Sequence, residues 1–357
     1  MVPELRGSCL CTGHAKNTAS HDRIETSMSS CWPRVLALSA VLATACSSLV
    51  APYRQYEIRF DAPAPPRLGG SPSDSELLDS VAWLMRNRLD LPFPPGTMAY
   101  VCVNQAALVE GLVKIAGETP NVAQERSSAF GVATGTGLFL RGDYLAQMNP
   151  VGRASLFAHE LTHISQNRLR AGGRGRPVQW ILEGHAEWVK FRVVDLLGYR
   201  AYAESRDIMM RAAVASTIDL FPDLGALTNN PAWLEATRRH GALATYGQAF
   251  LAVDWLVERY GSAKLLEFLG RFSLEVDPRE HWRTVFPLSY PQFVDEFRAW
   301  LKDRARPTPQ GPRGRETNFT PDLPEYPGAR RGSPRGSGRC SRRAPARRGS
   351  RHRQSDW

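Results

Sequence analysis

The ten residues "FAHELTHISQ", Phe157–Gln166, place two histidines and a glutamate in one short window. His159 and His163 are four positions apart, so in a helix they share one face with about 6 Å of axial rise between them. Two imidazoles at this spacing can hold one Zn²⁺. The neighbouring carboxylate, Glu160, can reach a metal-bound water without ligating the metal, and can act as a general base. The alternative interpretation is two surface histidines beside a charge-paired helix.

The flanking residues predict the helix that carries this window. Asn149 is a favourable N-cap, and Pro150 suits the first turn, where its missing N–H is not needed. Apolar residues then recur at helical spacing and form a stripe along one face. The stripe comprises Leu156, Phe157, Leu161 and Ile164. The window therefore belongs to an amphipathic helix with one buried face.

A catalytic zinc needs a third protein ligand and an open coordination position. The segment "VQWILEGHAEWVKF", residues 178–191, supplies Glu183 after 19 intervening residues, and the glycines of "RAGGRGRP" allow the chain to turn back. Glu187 lies one turn beyond Glu183, where it can accept the second ring N–H of a zinc histidine, with His159 the preferred partner. These positions predict a zinc site whose ligands are His159, His163 and Glu183, with Glu187 behind them.

The two motifs "HELTH" and "WILEGHAEW" together resemble those of the gluzincin metallopeptidases, and most closely those of the small peptidase-MA-like domains. The resemblance covers about residues 100–272. It implies that His159, His163 and Glu183 hold zinc. It also implies that Glu160 activates the zinc-bound water for hydrolysis of a peptide bond.

The same resemblance assigns two further features. In gluzincins the strand before the first helix borders the cleft and pairs with extended substrate, and "GTGLFLRGDYL", residues 135–145, stands in that place. Gluzincins also often stabilise the oxyanion with a Tyr or His from a later helix. Tyr246 is similar to that residue, and His240 is the second candidate. The alternative for Tyr246 is an ordinary aromatic residue at a helix start.

The first 72 residues predict export. Residues 1–27 form an extension without a structural signature. Residues 28–45 resemble a signal peptide, since their apolar core, Val35–Ala45, is too short to span a bilayer. "ATAC", ending at Cys46, resembles a bacterial lipoprotein box and implies a lipid on that cysteine, with a plain signal peptide as the alternative. Residues 46–72, rich in Pro, Gly and Ser, predict a tether.

Residues 73–303 predict the folded domain. Ser73 and Glu76 have capping-box spacing for a first helix, and "MAYVCVN", residues 98–104, predicts a strand. Helical patterns dominate from Pro150 onward. A few strands followed by many helices predict an α+β domain, with a small strand region and then a mainly helical, gluzincin-like body.

The positive charge of the chain is concentrated at its C-terminal end. Arg304–Trp357 contains 14 Arg and 4 acidic residues, a net charge of +10 that equals that of the whole chain, so the rest is neutral. Its low apolar content predicts disorder, and an arm for nucleic acid or an anionic surface is the alternative. A neutral main domain disfavours a nucleic-acid partner. Among the six cysteines only Cys102 lies in the predicted domain, so no disulfide framework is expected.

These features predict an exported, membrane-anchored zinc metallopeptidase that acts on a peptide or protein substrate. The second hypothesis is a catalytically silent lipoprotein whose zinc-stapled fold binds a peptide or an envelope partner. Glu160 favours the enzyme, since a purely structural zinc site has no need of this carboxylate.

Overall fold

Four short strands build one mixed sheet in the computed structural model. The structure describes residues 52–61, 70–135, 137–171, 173, 175, 177–215, 224–274 and 277–304. The strands are β1 (Tyr53–Glu57), β2 (Met98–Cys102), β3 (Gly131–Ala133) and β4 (Gly137–Arg141). Their spatial order is β1-β2-β4-β3; β2 and β4 are parallel, whereas β1 and β3 run antiparallel to their neighbours. β4 is therefore an interior strand, and β3 forms one edge.

β1 corrects the domain boundary predicted from the sequence. It lies within residues 46–72, where the sequence predicts a tether, yet all five of its residues pair with β2. Just after it, Ile58 and Phe60 are buried, and Phe60 stacks on Phe93 with ring centroids 4.3 Å apart. The strand's own side chains are exposed or half-buried because it is a sheet edge, so no apolar pattern reveals it. The folded domain therefore begins by Tyr53 rather than at residue 73.

Helices supply most of the described domain. They are α1 (Asp74–Arg88), α2 (Gln105–Lys114), α3 (Pro120–Arg126), α4 (Gly142–Leu145), α5 (Pro150–Leu169), α6 (Gln179–Leu196), α7 (Tyr202–Ala215), α8 (Asn230–His240), α9 (Ala242–Tyr260), α10 (Ser262–Gly270), α11 (Pro278–Val285) and α12 (Tyr290–Arg304). The capping box of Ser73 and Glu76 is present, and Asn149 caps α5 through the N–H of Gly152. The α+β class is confirmed as a mainly helical domain with a small sheet.

α6 lies deep in the helical body and packs against both α5 and α9. Gly184 allows the close approach to α9, since a Cβ there would lie 2.3 Å from the carbonyl oxygen of Ala249 and 2.8 Å from Val253 Cγ2. Any larger residue would push the two helices apart. The contact holds α6 against the core while Glu183, the preceding residue, reaches the side chains of α5.

Several sequence predictions concern residues outside the described part of the chain. These are the N-terminal extension, the signal peptide, the lipid on Cys46 and the Arg-rich residues 305–357. Across the described ranges, no helix combines the length and apolar character needed to cross a bilayer.

Cys102 is a buried free thiol, and burial raises its pKa to about 12, which keeps it protonated at neutral pH.

Candidate metal centre

α5 and α6 bring two histidines and one carboxylate together. His159 and Glu183 are buried, and His163 is half-buried. Glu183 Oε2 lies 3.4 Å from His159 Nε2 and 3.8 Å from His163 Nε2, and the two Nε2 atoms are 3.3 Å apart. The i, i+4 spacing on α5 and the return of the chain along α6 produce this convergence.

The three atoms have the separations of one face of a zinc tetrahedron. With metal–ligand bonds of about 2.0–2.1 Å, the ligand atoms of a tetrahedral site lie about 3.4 Å apart. The observed separations of 3.3, 3.4 and 3.8 Å are close to that triangle. Two imidazoles and one carboxylate also suit Zn²⁺ better than Mg²⁺ or Ca²⁺, which prefer oxygen ligands. The residues present therefore fit a zinc ion.

The outer nitrogen of each histidine is held by a second side chain. His159 Nδ1 lies 3.0 Å from Glu187 Oε1, the pairing that the sequence predicts. His163 Nδ1 lies 2.9 Å from Gln166 Oε1. An Nδ1–H that donates to either oxygen leaves the Nε2 lone pair free for a metal. Both contacts therefore select the tautomer and ring orientation that metal ligation requires.

Gln166 is itself fixed in orientation. Its Nε2 donates to the carbonyl of Leu182 at 2.9 Å and lies 3.2 Å from His185 Nδ1, so its Oε1 faces His163. Burial, with a smaller contribution from the charge of His163, lowers the pKa of His185 to about 3. His185 is therefore neutral, and its Nδ1 can accept from Gln166. It supports the site from behind and lies outside the ligand cluster.

The two carboxylates are also held by neighbours on α6. Gln179 Nε2 donates to Glu183 Oε1 at 2.8 Å, which leaves Oε2 for the metal. Glu187 forms a buried ion pair with Lys190. Sequence reasoning missed Gln166, Gln179 and Lys190, although each lies three or four residues from its partner, as helix neighbours do. Gln and Lys at such spacings are too common in helices to predict a site.

The buried carboxylates set the charge of the site. Burial alone would lower the pKa of His159, but the hydrogen bonds and charges of Glu183 and Glu187 outweigh it and raise that pKa to about 10. A metal that binds at neutral pH must therefore displace the Nε2 proton of this ring, while the Nδ1–H keeps its hydrogen bond to Glu187. Burial alone would likewise raise the pKa of Glu187, but Lys190 and His159 lower it to about 2. The pKa of Glu183 is lowered too, because the two histidines outweigh its burial. Both acids are therefore ionised at neutral pH and attract a cation.

A cleft of about 430 Å³ opens over the ligands, and Glu160 lines it together with His159, His163 and Glu183. Glu160 is half-buried on α5 and is not part of the ligand cluster. β3 passes closely over it, since a Cβ on Gly131 would lie 2.7 Å from Glu160 Cγ. The carboxylate is thus placed at the cleft surface beside the ligands, where it can exchange protons with bound water or substrate.

The strand that borders the cleft is β3 and not β4. All three residues of β3 line the cleft, whereas β4 is fully buried and pairs with β2 on one side and β3 on the other. The sequence-based assignment of the substrate-pairing strand to residues 135–145 is therefore wrong, because both edges of β4 are already used. β3 has only three residues, which are too few to show a strand periodicity.

The register of β3 turns part of its backbone toward the open edge. Phe130 O accepts a hydrogen bond from the N–H of Arg141 at 2.9 Å. Hydrogen-bonded positions alternate in an antiparallel pair, so the backbone groups of Gly131 and Ala133 point away from β4. Ala133 O accepts from Arg126 Nη2 at 2.9 Å. Gly131 therefore offers the edge groups that lie nearest to Glu160.

Tyr246 on α9 lines the same cleft, whereas His240 is not among the residues around it. The Tyr246 ring centroid lies 6.2 Å from that of His159, and the ring packs edge-on against Trp233 at 4.8 Å. Burial, followed by the charge of Glu183, raises the pKa of Tyr246 well above its ordinary value. Its hydroxyl therefore stays protonated and able to donate. His240 ends α8 and is not brought to the site.

Comparisons with known proteins give no match. No protein-family model matches the chain, no curated protein is significantly similar to it, and no solved structure matches its fold. What this site does must therefore be inferred from its own residues and geometry.

Proposed function

We propose that the chain is a zinc-dependent metallopeptidase of the gluzincin type. The observation that carries the proposal is the zinc-sized triangle of His159, His163 and Glu183 beside the carboxylate of Glu160 in an open cleft. A purely structural zinc site takes four protein ligands, whereas the cluster found among the described residues has three. The motifs "HELTH" and "WILEGHAEW" support the same family from the sequence.

Zn²⁺ bound at this site would supply Lewis acidity, which polarises a peptide carbonyl and makes water more acidic. Glu160 lies beside the ligands and takes the proton of the attacking water. The same carboxyl group then gives that proton to the amine nitrogen as the peptide C–N bond breaks. Each cycle consumes one water and yields one carboxylate and one ammonium group, because the second proton of the water also passes to the amine, and Glu160 returns to its ionised form.

The hydroxyl of Tyr246 is the proposed hydrogen-bond donor to the oxyanion that forms when water adds to the carbonyl. Two observations support it, namely its place in the cleft and a raised pKa that keeps its proton on the oxygen. His240 is set aside for this role because it does not line the cleft.

The free edge of β3 is the proposed docking line for the substrate backbone. The N–H and C=O of Gly131 point to this edge, next to Glu160. Main-chain hydrogen bonds to a strand edge hold an extended peptide without selecting its side chains. In this arrangement the scissile carbonyl lies between β3 and the ligands on α5.

The substitution Glu160→Gln tests the proposed general base. Zinc content and folding should be unchanged, because Glu160 is not a ligand, while peptide hydrolysis should fall by roughly 10²–10⁴-fold. Glu204→Gln, an exposed carboxylate on α7 away from the cleft lining, is the matched control and should keep the wild-type rate. The assay is cleavage of an unbiased peptide mixture, followed by mass spectrometry, with zinc measured in parallel.

Two outcomes would contradict the proposal in different ways. Equal cleavage by wild type and Glu160→Gln would show that the activity comes from another site. A zinc-loaded wild type that cleaves nothing would favour the second hypothesis, a silent zinc-stapled domain that binds a peptide or an envelope partner.

A further inference from the structure

The cleft does not end at the metal ligands. A second cavity of about 470 Å³ adjoins it, and Gln179, Leu182 and Asn230 line both spaces. Other walls of the second cavity include Arg170, at the end of α5, and Asn229, just before α8. A peptide lying across the ligands can therefore continue into this second cavity.

Arg170 is placed at a defined distance from the metal site. It caps α5 in a helical conformation, seven residues after His163. Seven residues are almost two helical turns, so the two side chains leave the same face about 10 Å apart. An extended peptide advances about 3.3 Å per residue. This axial separation corresponds to about three residues of an extended substrate.

The charge of Arg170 has no acidic partner among the described residues. Its Nη2 donates to the side chain of Asn167, and its Nε is buried without a hydrogen-bond partner. Burial lowers the pKa of Arg170, and no carboxylate opposes that effect. In the sequence, residues 170–177 include three arginines and no acidic residue. A partly buried cation in this state favours an anionic ligand.

Arg126, which lines the first part of the cleft, is in the opposite situation. Its guanidinium forms an ion pair with Glu118 and also donates to the carbonyl of Ala133 in β3. Its charge is balanced within the protein, and its role is to hold the edge strand. Of these two arginines, Arg170 is the one with hydrogen-bonding capacity left for a substrate.

Building on the proposed peptidase function, we propose that the second cavity is a carboxylate-binding subsite in which Arg170 holds an anionic group of the substrate. The group is a carboxylate about three residues from the cleaved bond, supplied either by the C-terminus of the peptide or by an Asp or Glu side chain. A planar guanidinium can bind such a carboxylate through two parallel hydrogen bonds. The enzyme should therefore prefer peptides that carry a carboxylate at this distance.

The test compares matched fluorogenic peptides that share one cleavable sequence, using the full-length zinc-loaded chain. One pair differs in a free or amidated C-terminus, and further pairs carry Glu or Gln at two, three and four residues on either side of the bond. In wild type, kcat/KM should be roughly 10- to 100-fold higher for the carboxylate member of at least one pair. The pair that responds identifies whether a terminus or a side chain is bound.

Three variants then test whether Arg170 causes the preference for a carboxylate. Arg170→Met should reduce the ratio within the responding pair to near one, and Arg170→Lys should retain part of it, because the charge remains but the planar fork is lost. Arg168→Met is the matched control, since Arg168 is exposed on α5 and is not among the residues lining either cavity. It should keep the wild-type ratio.

A binding measurement separates this subsite from the catalytic proposal. Fluorescence anisotropy of the same peptides on full-length Glu160→Gln protein should show the same preference without turnover, even if the wild type cleaves nothing. Cleavage with no preference in any pair would overturn the subsite while leaving the peptidase intact. A carboxylate preference that survives in Arg170→Met would also contradict the subsite. If Arg170→Met does not fold, an undiminished preference in Arg170→Lys would contradict it instead.

Discussion

Polar side chains behind the ligands decide which atoms of the candidate site are free for a metal. Glu187 accepts from the outer nitrogen of His159, and Gln166 accepts from that of His163. Without these acceptors each ring could rotate or present an N–H toward the metal position. Lys190 balances the charge of Glu187, so this buried carboxylate does not depend on the metal for compensation.

Loss of a ligand should weaken zinc binding far more than loss of a residue behind it. His163→Ala and Glu183→Ala should each lower zinc occupancy sharply, because only three protein ligands are proposed. Gln166→Ala and Glu187→Ala should weaken binding by roughly 10–100-fold. Gln147→Ala, at an exposed glutamine, is the control. Competition with a chromophoric chelator measures the affinities, and an unchanged value for Gln166→Ala would contradict its role.

Tyr246→Phe removes one hydroxyl and keeps the ring that packs against Trp233. If this hydroxyl donates to the oxyanion, kcat and kcat/KM should both fall by roughly 10²–10³-fold while zinc content is retained. Tyr199→Phe, at a half-buried tyrosine that is not part of the cleft lining, should have little effect. A rise in KM with unchanged kcat would instead show that Tyr246 binds the ground state and the transition state equally, and does not act on the oxyanion alone.

The candidate ligands could be predicted from the sequence, whereas most of the residues behind them could not. The spacing of His159 and His163 is a local property of any helix, and it needs no tertiary information. Gln166 has an equally local spacing, but its role depends on the carbonyl of Leu182 in another helix. Tyr246 could be named only through a family resemblance, because its distance from His159 depends on how α9 packs.

Short elements position the proposed chemistry although they contribute little to the core. β3 has three residues, yet it forms the sheet edge, lines the cleft and covers Glu160. Gly131 makes this arrangement possible, because no side chain separates the strand from the carboxylate. The helices α5 and α6 supply the candidate ligands, but β3 restricts where the proposed general base can lie.

Adding a methyl group at Gly131 should therefore disturb catalysis more than folding. A Cβ there would lie 2.7 Å from Glu160 Cγ, so the flexible carboxylate side chain must move. Because a displacement of about 1 Å can lower a rate by about 10²-fold, Gly131→Ala should lose tens-fold or more in kcat with zinc retained. Gly135→Ala is the control, since a Cβ there meets nothing within 4 Å. Wild-type kcat in Gly131→Ala would mean that Glu160 tolerates displacement or is not the base.

Long helices with strong end signals could be predicted, and the small strands that complete the sheet could not. α5 begins at Pro150 with Asn149 as its N-cap, as the local sequence predicts. β4 could be predicted as a strand, but its interior position depends on β2 and β3, which are distant or very short. Strand order is a non-local property, so the strand at the cleft was assigned wrongly.

The folded domain begins earlier in the chain than the Pro-, Gly- and Ser-rich composition of residues 46–72 predicts. All described residues fall within one compact unit. β1 closes one edge of the sheet, and Arg59 pairs with Asp79 on α1 to attach the following segment to the helical body. Export and lipid attachment remain predictions, because Cys46 lies outside the described residues. The same applies to the proposed disorder of the Arg-rich tail.

Shortening the chain tests whether β1 belongs to the folded domain. Residues 52–304 should unfold cooperatively in urea, whereas residues 71–304 should be less stable by at least about 3 kcal/mol, because the burial of Ile58 and Phe60 is lost. The shorter chain would also expose the backbone edge of β2 and should aggregate more readily. Phe60→Ala in the longer chain separates the loss of core packing from the loss of strand pairing. Equal free energies of unfolding for the two lengths would restore the boundary at residue 73, because β1 would then contribute nothing to stability.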